Sequence, residues 1–114
     1  MTVAIVKADD ASGVARAIEL LGGMGRFVAP GEKVIVKPNI CAAKDSASGT
    51  VTDPEVTAAV CRLAAEADGE VTVAESPIYP FKSSRVFSRA GLSEPGTMGV
   101  HFVPALFMSS SANQ

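Results

Sequence analysis

Lys37, Asn39, Asp53 and Glu75 combine reactive or polar side chains with positions where strands end or helices begin. Lys37 closes the apolar run Val34-Ile35-Val36, and Pro38-Asn39 fixes how the chain leaves it. A lysine so placed, near a helix amino terminus, can hold a phosphate or a carboxylate. Its plainer uses are to reach solvent along its stem or to pair with Glu75. Glu75 suits a general base if desolvation raises its pKa, a metal ligand, or the ion-pair partner of Lys37. Structural pairs often occupy such positions, which favours the ion pair. Asn39 can orient a ligand or cap its own turn. Asp53 fits a helix cap better than a ligand site, because Asp53-Pro54-Glu55 is a helix-start signal.

The elements that must position these residues follow from patterning. Residues 3–7 read as a short strand, β-branched and free of breakers. Asp9, Asp10 and Ser12 offer N-cap oxygens to a helix whose apolar positions are Val14, Ile18 and Leu21. Gly22-Gly23 ends that helix, and Pro30-Gly31 marks a turn within residues 27–32. Residues 33–37 form the second predicted strand, stopped by Pro38. Residues 39–52 form a long loop rich in Ser, Ala, Gly and Lys, of a kind that is usually functional or mobile. Asp53-Pro54-Glu55 then starts a helix with a predicted buried stripe of Val56, Ala59, Val60, Leu63 and Ala67, closed by Gly69. Residues 70–75 form a third strand, and 76–80 a rigid loop. Ser83 or Ser84 caps a short helix with Val86, Phe87 and Ala90 on its apolar side. Beyond Leu92 the pattern degrades, and the apolar patch from Val100 to Met108 suggests at most one more strand.

Alternating strands and helices imply a parallel sheet with right-handed crossovers. The expected fold class is therefore α/β: a short parallel sheet, helices on its faces, three layers. Parallel sheets usually have more strands, both faces covered. Either the terminal patch supplies a fourth strand, or the chain is part of an incomplete larger domain. Ligands of open parallel sheets bind beyond the carboxyl ends of the strands. That rule selects Lys7 to Gly13, then Lys37 to Lys44, then Glu75, Ser76, Pro77 and Tyr79, with Thr52-Asp53 pointing to the same edge.

Composition narrows the classes. The chain has 114 residues, 47% apolar and 19% charged, with a net charge of −2. A disordered tail is excluded, as is a strongly basic nucleic-acid module. No apolar run is long enough to span a bilayer, and residues 3–6 are too short for a signal-peptide core, so a cytoplasmic setting is expected. Cys41 and Cys61 match no metal or cluster spacing, and a disulfide is not expected in a reducing compartment. Cys61 reads as a small packed residue of a helix. Gly22-Gly23-Met24-Gly25 follows a helix and precedes a strand, the reverse of a phosphate cradle. No catalytic triad or zinc set can be assembled, and His101 is the single histidine.

Four blocks carry a family resemblance: residues 21–28, then Pro30-Gly-Glu-Lys-Val-Ile-Val-Lys-Pro-Asn39, then Thr52-Asp-Pro-Glu-Val56, then Val73-Ala-Glu-Ser-Pro77. In this order they resemble the opening of the domain-of-unknown-function family numbered 362. The resemblance covers residues 1–91, and family members are much longer. Many carry ferredoxin-like modules and are described as iron–sulfur proteins. This chain has no such cysteine run, so cluster binding does not carry over. The matching motifs imply Lys37, Asn39, Asp53, Glu75 and Ser76 as candidate site residues.

The resulting expectation is a domain over residues 1–92 and a divergent tail over 93–114. The domain would bind a small anionic ligand, with Lys37 as charge partner, Asn39, Asp53 and Ser76 as ligand contacts, and Glu75 as base or metal ligand. No specific cofactor or metal site follows from the sequence. One alternative is a fragment of a redox or iron–sulfur enzyme whose cluster module lies elsewhere. Another is an inactive remnant, or a homo-oligomer formed through an open sheet edge. No nucleic-acid or membrane partner is expected.

Overall fold

The computed structural model describes residues 1–40, 44–75 and 101–104. Within them lie helix α1 (Ser12–Leu20), strand β1 (Lys33–Val36), helix α2 (Pro54–Glu66), strand β2 (Glu70–Glu75) and strand β3 (His101–Pro104). The three strands form a parallel sheet in the order β1-β2-β3. The chain is thus a small α/β fold. β3 falls within the terminal apolar patch, where one further strand is expected. The predicted helix over 83–91 lies outside the described residues.

β1 alternates between exposed and half-buried residues, the period that puts one strand face toward a core. Val34 and Val36 turn toward α2, as do their ladder partners Val71 and Val73. With Val28, Cys61 and Ala64 they make the core, in which Val73 is fully buried. Each such branched side chain contributes about 1.5–3 kcal/mol when fully buried. Two backbone hydrogen bonds fix the register. Gly31 N–H donates to the Asp68 carbonyl at 2.8 Å, and Glu70 N–H donates to the Glu32 carbonyl at 2.8 Å. Asp68 adopts a left-handed φ of 62°, turning the chain from α2 into β2. Gly69 then passes so close to Ala64, Val28 and Val34 that a Cβ would meet their atoms at 2.9–3.1 Å.

The buried stripe of α2 differs from expectation. Thr57, Ala59, Cys61 and Ala64 are buried, while Val56, Val60, Leu63 and Ala67 are half-buried. Small residues let the helix settle close onto Val71 and Val73, and the larger ones fill its flanks. Cys61 is a small packed residue, as its helical position implies.

α1 packs mainly on α2, and none of its residues is fully buried. Its amphipathic positions Val14, Ile18 and Leu21 are half-buried. Gly22 (φ 105°) and Gly23 (φ 83°) end it, with Gly23 N–H donating to the Ile18 carbonyl at 2.9 Å. The expected strand over residues 3–7 is not formed: the segment joins no ladder, and Val3 and Ile5 are 73% and 91% exposed. β-branched composition makes a strand only where a neighbouring edge supplies hydrogen bonds. The segment instead lies against the start of α1, where a Cβ on Gly13 would collide with the Ala8 side chain.

Candidate functional site

The carboxyl edge of the sheet is assembled by β1, β2 and the start of α2. Val36 pairs with Val73 in the ladder, so Lys37, just after Val36, and Glu75, the last residue of β2, stand at the same edge on adjacent strands. Glu75 is opposite Pro104 of β3. Lys37 is exposed, Pro38 buried, Asn39 exposed and Ile40 fully buried. That alternation anchors the chain at Pro38 and Ile40 and leaves Lys37 and Asn39 facing outward.

Asn39 ties this strand end to α2. Its backbone N–H donates to Thr52 Oγ1 at 2.8 Å, and Thr52 N–H donates to the Asn39 carbonyl at 2.8 Å. The Asn39 side-chain amide donates to the Thr50 carbonyl at 3.0 Å. The intervening loop therefore closes on itself, with its two feet held together. Within it, Ser46–Ser48 make a single helical turn. Ser48 hydroxyl donates to the Asp45 carbonyl at 2.7 Å, and Gly49 supplies a left-handed φ of 70°.

Asp53 follows directly. Its backbone is extended (φ −60°, ψ 131°), and its carboxylate accepts from Glu55 N–H at 2.8 Å. Thr57 N–H and the Thr57 hydroxyl both donate to the Asp53 carbonyl, at 3.1 and 3.3 Å. Asp53 is thus a helix cap, with Pro54 at the first helical position. Two carboxylates, Asp53 and Glu55, complement the positive end of the α2 dipole.

Lys37, Asn39 and Asp53 are brought together by the loop closure, and Glu75 joins their edge through the ladder. Ser76 lies outside the described residues. Among the described residues no group of three His, Cys, Asp or Glu side chains is placed to hold a metal.

A second concavity was not evident from the strand-end rule. Asp10, Ser12, Glu55, Arg62, Leu63 and Glu66 border a crevice of about 570 Å³ between α1 and α2. Lys37, Asn39 and Asp53 do not line it. The spacing of Glu55, Arg62 and Glu66 along one side of α2 is the signal that could have found it. At its mouth Asp10 accepts from Ser12 N–H at 2.8 Å. Hydrogen bonds from the Ser12 side chain and backbone hold the Asp10 carboxyl below its ordinary value of 3.8. On α2's opposite side, burial pushes the Cys61 thiol above its ordinary 9.0.

No described helix is long and apolar enough to cross a membrane. No solved structure matches the chain. A thylakoid-associated protein of Synechocystis sp., sll1697, is 44% identical over 62 residues. The matched stretch is 54% of this chain and 19% of that relative, so the chain spans well under two thirds of the relative's length. Residues 34–104, from β1 through β3, match the model of the family described as Domain of unknown function (DUF362). They hold Lys37, Asn39, Asp53 and Glu75 together with the loop closure that joins them, and on that match the chain belongs to the DUF362 family.

Proposed function

We propose that this chain is a ligand-binding α/β unit that takes a small anion at the carboxyl edge of its sheet, with Lys37 as the charge partner. The observation that carries the reading is the closure between Asn39 and Thr52, which sets the lysine-bearing strand end beside the capped start of α2. Asp53 and Glu55 already complement the helix terminus, so the anion belongs on the Lys37 side of the closure, away from those carboxylates. One amide hydrogen of Asn39 is committed to Thr50, which makes Asn39 a rigid edge of the site with its remaining polar atoms available to orient a ligand. Glu75, on the adjacent strand end, is the residue from which a general base would act, and Ser76 a further orienting group.

Isothermal calorimetry tests this with inorganic phosphate and a panel of small carboxylates. Wild type should bind, and Lys37→Ala should weaken binding by about tenfold or more, the loss of one charge-assisted contact. The absence of heat with the wild-type chain, or equal binding by Lys37→Ala, overturns it.

A further inference from the structure

Among the described residues no helix lies on the face of the sheet opposite α2, and the charges at its exposed end are arranged to match a copy of themselves. Ladder partners share a face, so Lys33, Ile35, Glu70 and Thr72 lie together on the side away from Val34, Val36, Val71 and Val73. Both described helices lie on the other side: α2 packs on the sheet and α1 packs on α2. Parallel sheets are ordinarily covered on both faces, yet Ile35 is 55% exposed. Ala74, farther along the same side of β2, is already buried. The open area is therefore the amino-terminal half of the face, around Ile35.

Lys33 and Glu70 are cross-strand neighbours at that end, both exposed, and neither makes an ion pair among the described residues. Consider a two-fold axis parallel to the strands, lying above the gap between β1 and β2. It sets β1 of one copy over β2 of the other, about 10 Å away, the usual spacing of packed sheets. Lys33 then faces Glu70 of the second copy, Glu70 faces its Lys33, and each Ile35 faces the other copy's Thr72, which sets the two Ile35 side chains diagonally across the axis beside the charged pairs. A self-complementary patch of this kind is what an isologous dimer requires.

We infer that the Lys33–Ile35–Glu70–Thr72 face is the contact between two copies of this chain, packed sheet to sheet. The contact uses the sheet's face rather than its edge and is independent of the ligand site. Its small area puts it among weak interfaces, so the dimer forms at concentrations on the order of 100 μM and above. It weakens with added salt, because its charges lie at the rim.

Sedimentation equilibrium on the full 114-residue chain tests the inference. Wild type should show a concentration-dependent dimer. Lys33→Glu and Glu70→Lys should each weaken association at least tenfold, since each puts like charges across the axis. An equimolar mixture of the two variants should restore it, because every facing pair is then of opposite sign. Effects on folding within one chain cannot produce that rescue, and circular dichroism checks that each variant keeps its helices. A wild-type chain that stays monomeric at about 1 mM, or a mixture no more associated than its components, overturns the inference. So does a dimer that survives Ile35→Lys, which would place the contact at the sheet edge.

Discussion

Asn39 and Thr52 hold each other reciprocally: each backbone N–H reaches the other residue, one to a hydroxyl oxygen and one to a carbonyl, both at 2.8 Å. The pair joins the end of β1 to the start of α2 and governs where Lys37 and Asp53 stand relative to one another. Thr52→Val keeps the shape and removes the hydroxyl acceptor, leaving Asn39 N–H without it. The expected loss is about 1 kcal/mol of stability. Amide exchange at Asn39 should quicken, while amides of β2 are unaffected. Thr52→Ser should restore most of both. Denaturant unfolding with hydrogen-exchange mass spectrometry checks this.

Gly69→Ala should be among the more damaging single changes in the described residues. The new methyl would meet Ala64 O and Val28 Cγ1 at 2.9 Å and Val34 Cγ2 at 3.1 Å. One of these contacts is backbone, so relief requires α2 to shift from the sheet, at about 1–3 kcal/mol. Gly25→Ala is the control. Nothing lies within 4 Å of a Cβ there, and its effect should stay within about 0.5 kcal/mol. Thermal melts of the two variants side by side decide the matter.

Asp53→Ala should cost about 1 kcal/mol, because Glu55 N–H loses its acceptor. Asp53→Asn retains an acceptor oxygen and should cost markedly less. If Asp53 serves solely as a cap, neither variant changes anion binding beyond what the lost stability explains. A calorimetric defect larger than the melting shift would assign it a ligand role as well.

Among the described residues, two groups give the stability profile a pH dependence. The Asp10 carboxyl, hydrogen-bonded by Ser12, titrates below its ordinary 3.8, so its contribution is present above that value and is lost as pH falls through the folded-state pKa. Asp10→Asn should flatten this acid limb slightly, the group being fully exposed. The Cys61 thiol, raised above 9.0 by burial, contributes the opposite limb, present below its unfolded value and lost as pH rises through the folded one. Cys61→Ala should flatten that alkaline limb. In the native chain Cys61 should resist iodoacetamide at neutral pH and react once the chain is unfolded, which peptide mapping will show.

Legibility from sequence tracked how local the determining interaction was. β1, β2 and the Asp53 cap were readable because a β-branched run, or an Asp-Pro-Glu triplet, sets its own conformation within a few residues. The glycine pair that ends α1 was readable for the same reason. The strand expected over residues 3–7 was not formed, since Val3 to Val6 state a preference that only an adjacent edge can satisfy. The α2 stripe was displaced because periodicity identifies apolar positions, whereas close approach to Val71 and Val73 selects small ones such as Cys61 and Ala64. At the candidate site, the sequence placed Lys37, Asn39, Asp53 and Glu75 at one edge. It left open whether Asn39 fastens its own loop, which depends on meeting Thr50 and Thr52. The crevice beside Arg62 depends on how two helices cross, which no single segment encodes.

The paired bonds from Gly31 to Asp68 and from Glu70 to Glu32 stand at the amino ends of β1 and β2, the end opposite Lys37 and Glu75. The two ribbons are therefore tied together at that base. A slip of one position would turn Val34 and Val36 out of the core, so burial and these two bonds specify the same alignment. Rim residues can be exchanged with little harm to the alignment beneath them. This chain thus keeps the part that must not vary and the candidate site residues at opposite poles of one small sheet.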